Sequence, residues 1–149
     1  MHNVQQQLKQ EQVSLFQKKI WDFYRDCGRS FAWRNCNIPY HVFVSEVMLQ
    51  QTQTYRVEPK FEQFIETFSN FEMLATAQLS EVLGVWQGLG YNRRGKFLHK
   101  AAQKIMAEHE GILPDDPEIL MQLPGIGPAT AASLAVFAYN RPTVFIETN

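Results

Sequence analysis

Cysteine is scarce: Cys27 and Cys36 are the only two among 149 residues. This chain alone therefore supplies neither a disulfide scaffold nor a four-thiolate metal site. Net charge is scarce as well, since 14 Lys and Arg stand against 15 Asp and Glu, leaving −1 at pH 7. That balance excludes strong attraction of the whole molecule to a polyanion, and contact with one has to come from a local basic face or from backbone groups. No apolar run approaches the roughly 20 residues of a bilayer span, and the opening MHNVQQQLKQEQ is too polar for a signal peptide. The expectation is a soluble intracellular protein without a membrane partner. Apolar content is ample: 45% hydrophobic and 13% aromatic residues offset the entropy of ordering about one domain's length of chain around one core.

Sustained period-two alternation is missing, whereas apolar residues recur at helical spacing nearly throughout, so the fold class is all-α. Val13, Phe16, Ile20, Phe23 and Tyr24 mark a first amphipathic helix, with Ser14 and Gln17 as its capping pair and Gly28 near its end. After a loop at 31–39, a second helix from Tyr40 to Gln53 is apolar on most sides and hence central. A third helix carries Val57, Phe61, Phe64, Ile65 and Phe68, and short helices follow at 71–77 and 79–86. The turn GLGYNRRGK leads into a long helix from Arg93 to His109. Asp116 and Pro117 open a helix that ends at Leu123, and Pro128 opens a last one through Tyr139. No repeat, linker or domain boundary is legible, so residues 1–149 read as a single domain with a hairpin at 123–128.

Three features carry chemistry. In LPGIG, Gly125 and Gly127 suit two left-handed residues that would point successive N–H groups, including that of Ile126, outward at a helix N-terminus. Such a nest takes a phosphate without side-chain charge, although on the pattern alone it is equally an ordinary corner between helices. Glu46 stands among Val42, Phe43, Val47 and Leu49, where desolvation would raise its pKa and make it a proton donor near neutral pH. The plainer alternative puts it on a polar stripe with Ser45, Gln50 and Gln53. Glu147 follows the β-branched and aromatic run PTVFI. Two half-buried carboxylates suit cleavage of a glycosidic bond, one protonating the leaving group and one stabilising the cationic sugar.

SEVMLQQTQ at 45–53, GLGYNRRGKFLHKAA at 88–102, LPGIGPATAA at 123–132 and the terminal IETN together resemble the signatures of helix-hairpin-helix DNA glycosylases, and most closely those of the MutY type. The resemblance runs from about Phe23 to Asn149. It implies a bilobal all-α fold, its six-helix lobe largely present here and its second lobe incomplete, with double-stranded DNA held between the lobes. It also implies monofunctional excision of adenine opposite 8-oxoguanine or guanine in base excision repair, by a monomer. The compartment would be the cytoplasm, at the nucleoid, in a bacterium, or otherwise the nucleus. The resemblance assigns Glu46 as the acid that protonates adenine N7, Glu147 as the second carboxylate and Asn149 as a polar group beside the sugar. Gln51 and Thr52 would enter or flank the duplex, and Tyr91 would wedge beside the oxidised guanine. Arg29, Phe31, Trp33 and Arg34 resemble the lining of the extruded base's pocket. From the residues alone, Trp33 is equally a core-edge aromatic, and Gln51 and Thr52 default to capping a helix. Arg93, Arg94, Lys96, His99, Lys100 and Lys104 give one helix a basic bias that fits phosphate contact or plain solvation.

Departures from the pattern are informative. Glu147 stands where MutY-type sequences carry aspartate, one methylene shorter. A displacement of about 1 Å is enough to cost on the order of 100-fold in rate. Ala129 replaces the Schiff-base lysine of endonuclease III relatives, so strand cleavage through an imine is not expected. With Thr130, Ala129 would flank the bound backbone. Full-length relatives continue beyond this point, commonly with a 4Fe-4S cluster and a domain sensing oxidised guanine. The expectation is therefore a C-terminally truncated glycosylase portion with no cofactor of its own. The other expectations left standing are a thymine or uracil mismatch glycosylase of the same superfamily and a non-catalytic helix-hairpin-helix DNA-binding module.

Overall fold

The computed structural model describes residues 10–34 and 37–143. These contain eight helices and no strand, as the periodicity predicts. None of the helices is long and apolar enough to cross a membrane. The chain divides into two compact units, Met1–Ser30 and Phe31–Asn149.

Among the described residues the first unit holds one helix, α1 (Gln10–Cys27). Because α1 begins ahead of Ser14, that residue lies within the helix and does not cap it. On the polar side Asp22 pairs with Lys18 at 2.7 Å and with Arg25, and the amide of Gly28 closes the end on the Tyr24 carbonyl at 2.7 Å.

The second unit is organised around α2 (Pro39–Leu49), which starts on Pro39 after the extended Ile38 and buries Val42, Phe43, Val44, Val47, Met48 and Leu49. Burial on nearly every side follows from its sequence, since only His41, Ser45 and Glu46 interrupt the apolar run. Helices α3 (Thr54–Thr67), α6 (Asn92–Glu108) and α8 (Pro128–Tyr139) pack against it. The short helices α4 (Phe71–Thr76) and α5 (Leu79–Trp86) pack against α6, and α7 (Pro117–Leu120) packs against α8. Local chemistry sets the starts. The Asn70 side chain accepts from the Met73 amide at 2.8 Å, Glu81 accepts from the Gln78 amide at 2.8 Å, and Asp116 accepts from the Glu118 amide at 2.8 Å. Two helix ends differ from expectation: α2 stops at Leu49 instead of running to Gln53, and α7 dissolves into turns after Leu120. Gln51 is left-handed, φ 55°, a conformation that a helix of L-residues cannot carry.

Tyr40 anchors the start of α2. It is 4% exposed, and its hydroxyl donates to the Phe68 carbonyl at 2.6 Å. Tyr40→Phe is expected to cost about 1–2 kcal/mol in urea unfolding, because the carbonyl is left buried and unsatisfied. Burial raises the Tyr40 pKa above the ordinary tyrosine value, so the folded chain holds this proton more tightly than the unfolded one. The associated stability is complete below pH about 10 and is lost as pH rises beyond it, and the Phe variant should lack that alkaline component.

Candidate functional site

A cleft of about 690 Å³ lies within the second unit, between the C-terminal end of α2, the turn before α6, and the loop joining α7 to α8. Glu46 is half-buried in its wall. Glu46 also lines an adjoining recess of about 30 Å³ with Trp33, Arg34 and Phe137. Of the polar stripe expected beside Glu46, Gln53 is exposed but lies beyond the end of α2. Ser45 is fully buried and donates to the Val42 carbonyl at 2.9 Å, while Gln50 is half-buried and directed across the cleft.

The α7–α8 hairpin is partly as expected. Gly125 is left-handed, φ 79°, but Gly127 has φ −91° and serves as the extended N-cap of α8. The expected pair of left-handed glycines is thus a single one, and the Ile126 amide is turned inward onto the Leu123 carbonyl at 3.2 Å. Ile126 itself is 6% exposed and belongs to the core. Thr130 is buried too, and its hydroxyl accepts from Gln50 Nε2 at 3.1 Å, a donor that also reaches the Gly125 carbonyl at 3.1 Å. Gly125, Gly127 and Ala129 remain exposed. The amides of the first turn of α8 after Pro128 are left by helix geometry without intrahelical acceptors.

The basic bias of α6 separates by direction. Arg93, Lys96 and Lys100 are exposed. His99 points inward, its Nε2 3.0 Å from the Ala77 carbonyl, and Lys104 is held by Glu108 at 3.6 Å and the Gln122 carbonyl at 3.2 Å. Arg94 also points inward, and desolvation lowers its pKa from the ordinary arginine value. Its Nη1 donates to the carbonyls of Val47 at 3.1 Å, Met48 at 2.7 Å and Gln50, and its Nη2 to Thr52 Oγ1 at 2.8 Å. A cation at a helix C-terminus meets the negative end of the dipole, and Arg94 thereby satisfies carbonyls that α2 leaves open at its end. Thr52, 4% exposed, is accordingly part of the cap, whereas Gln51 is exposed on the cleft wall. Tyr91 is left-handed, φ 49°, 64% exposed, and also lines the cleft.

Among the expected base-pocket residues, Trp33 is 3% exposed, stacked on Phe31 with ring centres 4.9 Å apart and edge-on to Phe61 at 5.3 Å. Its ring thus forms part of the core beneath the recess, as the core-edge alternative had it. Arg34 is exposed, its guanidinium carbon 4.0 Å from the Phe137 ring centre. Arg29 belongs to the first unit. Glu147 and Asn149 lie outside the described residues. Gln50, Phe97 and Phe137 line the cleft and were missed by the sequence reading. Gln50 was recoverable as the first of the paired glutamines, but Phe137 sits in a helix whose small apolar residues give no facial signal. Among the described residues no group of three or more His, Cys, Asp and Glu is placed to hold a metal ion.

The family model described as HhH-GPD superfamily base excision DNA repair protein matches residues 44–148. The adenine DNA glycosylase of Mycobacterium tuberculosis strain ATCC 25618 / H37Rv is 39% identical over 128 residues, which are 85% of this chain and 42% of that protein. The adenine DNA glycosylase of Mus musculus is 36% identical over 146 residues, covering 92% of this chain and 28% of its own length. The chain therefore spans less than half the length of these curated relatives. A thermostable thymine-DNA glycosylase superposes with a TM-score of 0.80 at 25% identity, over 86% of this chain and 59% of that one. A non-covalent endonuclease III–DNA complex gives 0.80 at 19% identity over 95% and 65%, a likeness of fold alone.

Proposed function

The chain belongs to the HhH-GPD superfamily of base excision DNA repair proteins, and we propose that its cleft serves a monofunctional DNA glycosylase that removes adenine mispaired with 8-oxoguanine or guanine from double-stranded DNA. The observation that carries this reading is Glu46, a half-buried carboxyl in a cleft walled by Gln51, Tyr91 and the α7–α8 loop. A flipped base needs a recess, a proton donor at its depth and groups that hold the distorted duplex outside, and those walls supply candidates for each. Glu46 donates a proton to adenine N7, which makes the base a better leaving group, and the N-glycosidic bond breaks dissociatively. Glu147 stabilises the cationic sugar, Asn149 supports it, and water completes the abasic site. The amides at the start of α8 take a phosphate, and Arg93, Lys96 and Lys100 extend the contact along the backbone. The names of the adenine-specific relatives support the choice of base; the cleft chemistry alone suits several bases. A longer native protein carrying a 4Fe-4S cluster would have to supply thiolates that this sequence, with its two cysteines, does not hold.

Base release measured on four duplexes tests this. Adenine should be released from A:8-oxoguanine and A:G, with no release from G:T or G:U. Release confined to G:T or G:U would reassign the cleft to a pyrimidine mismatch glycosylase, as the name of one structural relative suggests. Tight duplex binding without release from any of them would leave a binding module.

A further inference from the structure

Arg94 was expected among the phosphate-contacting residues, yet its donors face the protein. Beyond the four acceptors on and after α2, Nη2 also reaches the Gly90 carbonyl at 3.3 Å. The guanidinium carbon stands 5.5 Å from the Trp86 ring centre and 5.4 Å from that of Tyr91. The pattern of acceptors is specific. Gln50 and Thr52 flank Gln51, and Gly90 immediately precedes Tyr91; Gln51 and Tyr91 are both left-handed, at φ 55° and 49°. Neither is glycine, so each conformation costs roughly 1–2 kcal/mol and persists only where its surroundings enforce it. One planar guanidinium bonded on both sides of the first and beside the second does so. Both of these strained residues stand on the walls of the cleft.

We infer that Arg94 is a positioning residue that clamps the 50–52 and 88–91 turns together, holding Gln51 and Tyr91 in the geometry with which they meet a duplex while making no phosphate contact itself. The inference rests on the duplex-binding reading above for its consequence, though not for the clamp. Lysine cannot replace it, since a single ammonium has neither the span nor the planar fork to serve two turns.

The test compares Arg94→Met, Arg94→Lys and Arg93→Met with the parent protein in two measurements. Amide hydrogen exchange without DNA reads the clamp directly. In Arg94→Met, exchange at the Thr52 and Leu89 amides should quicken by about tenfold, with the Ile105 and Leu134 amides unchanged. Duplex affinity between roughly 50 and 200 mM salt reads the consequence. Arg94→Met should bind about tenfold more weakly at every salt concentration with the same dependence of log affinity on log salt. Arg93→Met should instead flatten that slope by about 1. Arg94→Lys should behave like the Met variant, and it decides the matter where the Met variant fails to fold. Restoration of parental exchange and affinity by Lys would overturn the inference, as would a flattened slope in Arg94→Met with both turns still protected. A parent protein that binds no duplex would sink the glycosylase reading, while the exchange data would still decide whether Arg94 is a clamp.

Discussion

Glu46→Gln is expected to slow single-turnover release of adenine by about 10²–10⁴-fold, the range over which a positioned general acid acts, while duplex affinity stays within about twofold of the parent. The amide is nearly isosteric with the carboxyl, so the packing of Val42, Phe43 and Val47 around α2 is preserved and unfolding should scarcely change. What is lost is the proton. Glu46 is half-buried and lines both the large cleft and the recess beside Trp33, where the proposed reaction requires the donor to be. Rapid quench on an adenine mismatch, run beside a binding titration, separates the two quantities. A variant that releases adenine at the parental rate would remove Glu46 from the chemistry altogether.

Gly125→Val should produce the largest loss of stability, about 3 kcal/mol in urea unfolding, and a fall in affinity for every duplex alike. Two costs coincide. At φ 79° a β-branched residue is strained, and an added Cβ would stand 2.8 Å from the Phe97 Cβ, an atom fixed to the backbone of α6 that cannot swing away. Relief requires the hairpin to move from α6, which carries the Gly125 carbonyl away from Gln50 and disturbs the start of α8. The matched comparison, set against Gly125→Ala, is Gly127→Ala. Its φ of −91° is open to any residue and nothing lies within 4 Å of the added carbon, so its cost should stay below about 1 kcal/mol. Equal tolerance at both positions would mean that the left-handed turn is not what shapes the hairpin.

The long helices α1, α3 and α6 were legible from apolar residues at helical spacing, and the starts at Asn70, Gln78 and Asp116 are written in residues that cap within three positions of themselves. The end of α2 was not legible. Its open carbonyls are capped by Arg94, more than 40 residues further on, and no local pattern announces a cap from so far away. The same reach explains the basic helix: Arg93 and Arg94 are neighbours in sequence, yet the 100° turn between them sends one to solvent and the other under α2. Glu46 was legible as a polar residue in an apolar helix, and its place in the cleft wall was not, because Ser45 beside it is buried while Glu46 is half-buried. In the hairpin, two glycines in LPGIG suggested two left-handed residues, but the second is an N-cap, a position where glycine is also favoured for its lack of a side chain.

Gln50 joins α2 to the α7–α8 hairpin across 75 and 80 residues of chain, and Arg94 joins α6 to α2 across more than 40. The helices themselves need only contacts three or four residues apart. Closing the longer loops costs entropy that is recovered only when both ends have arrived. Contacts within a helix can therefore form without these bridges, whereas the walls of the cleft come together only when segments 42 to 80 residues apart have met.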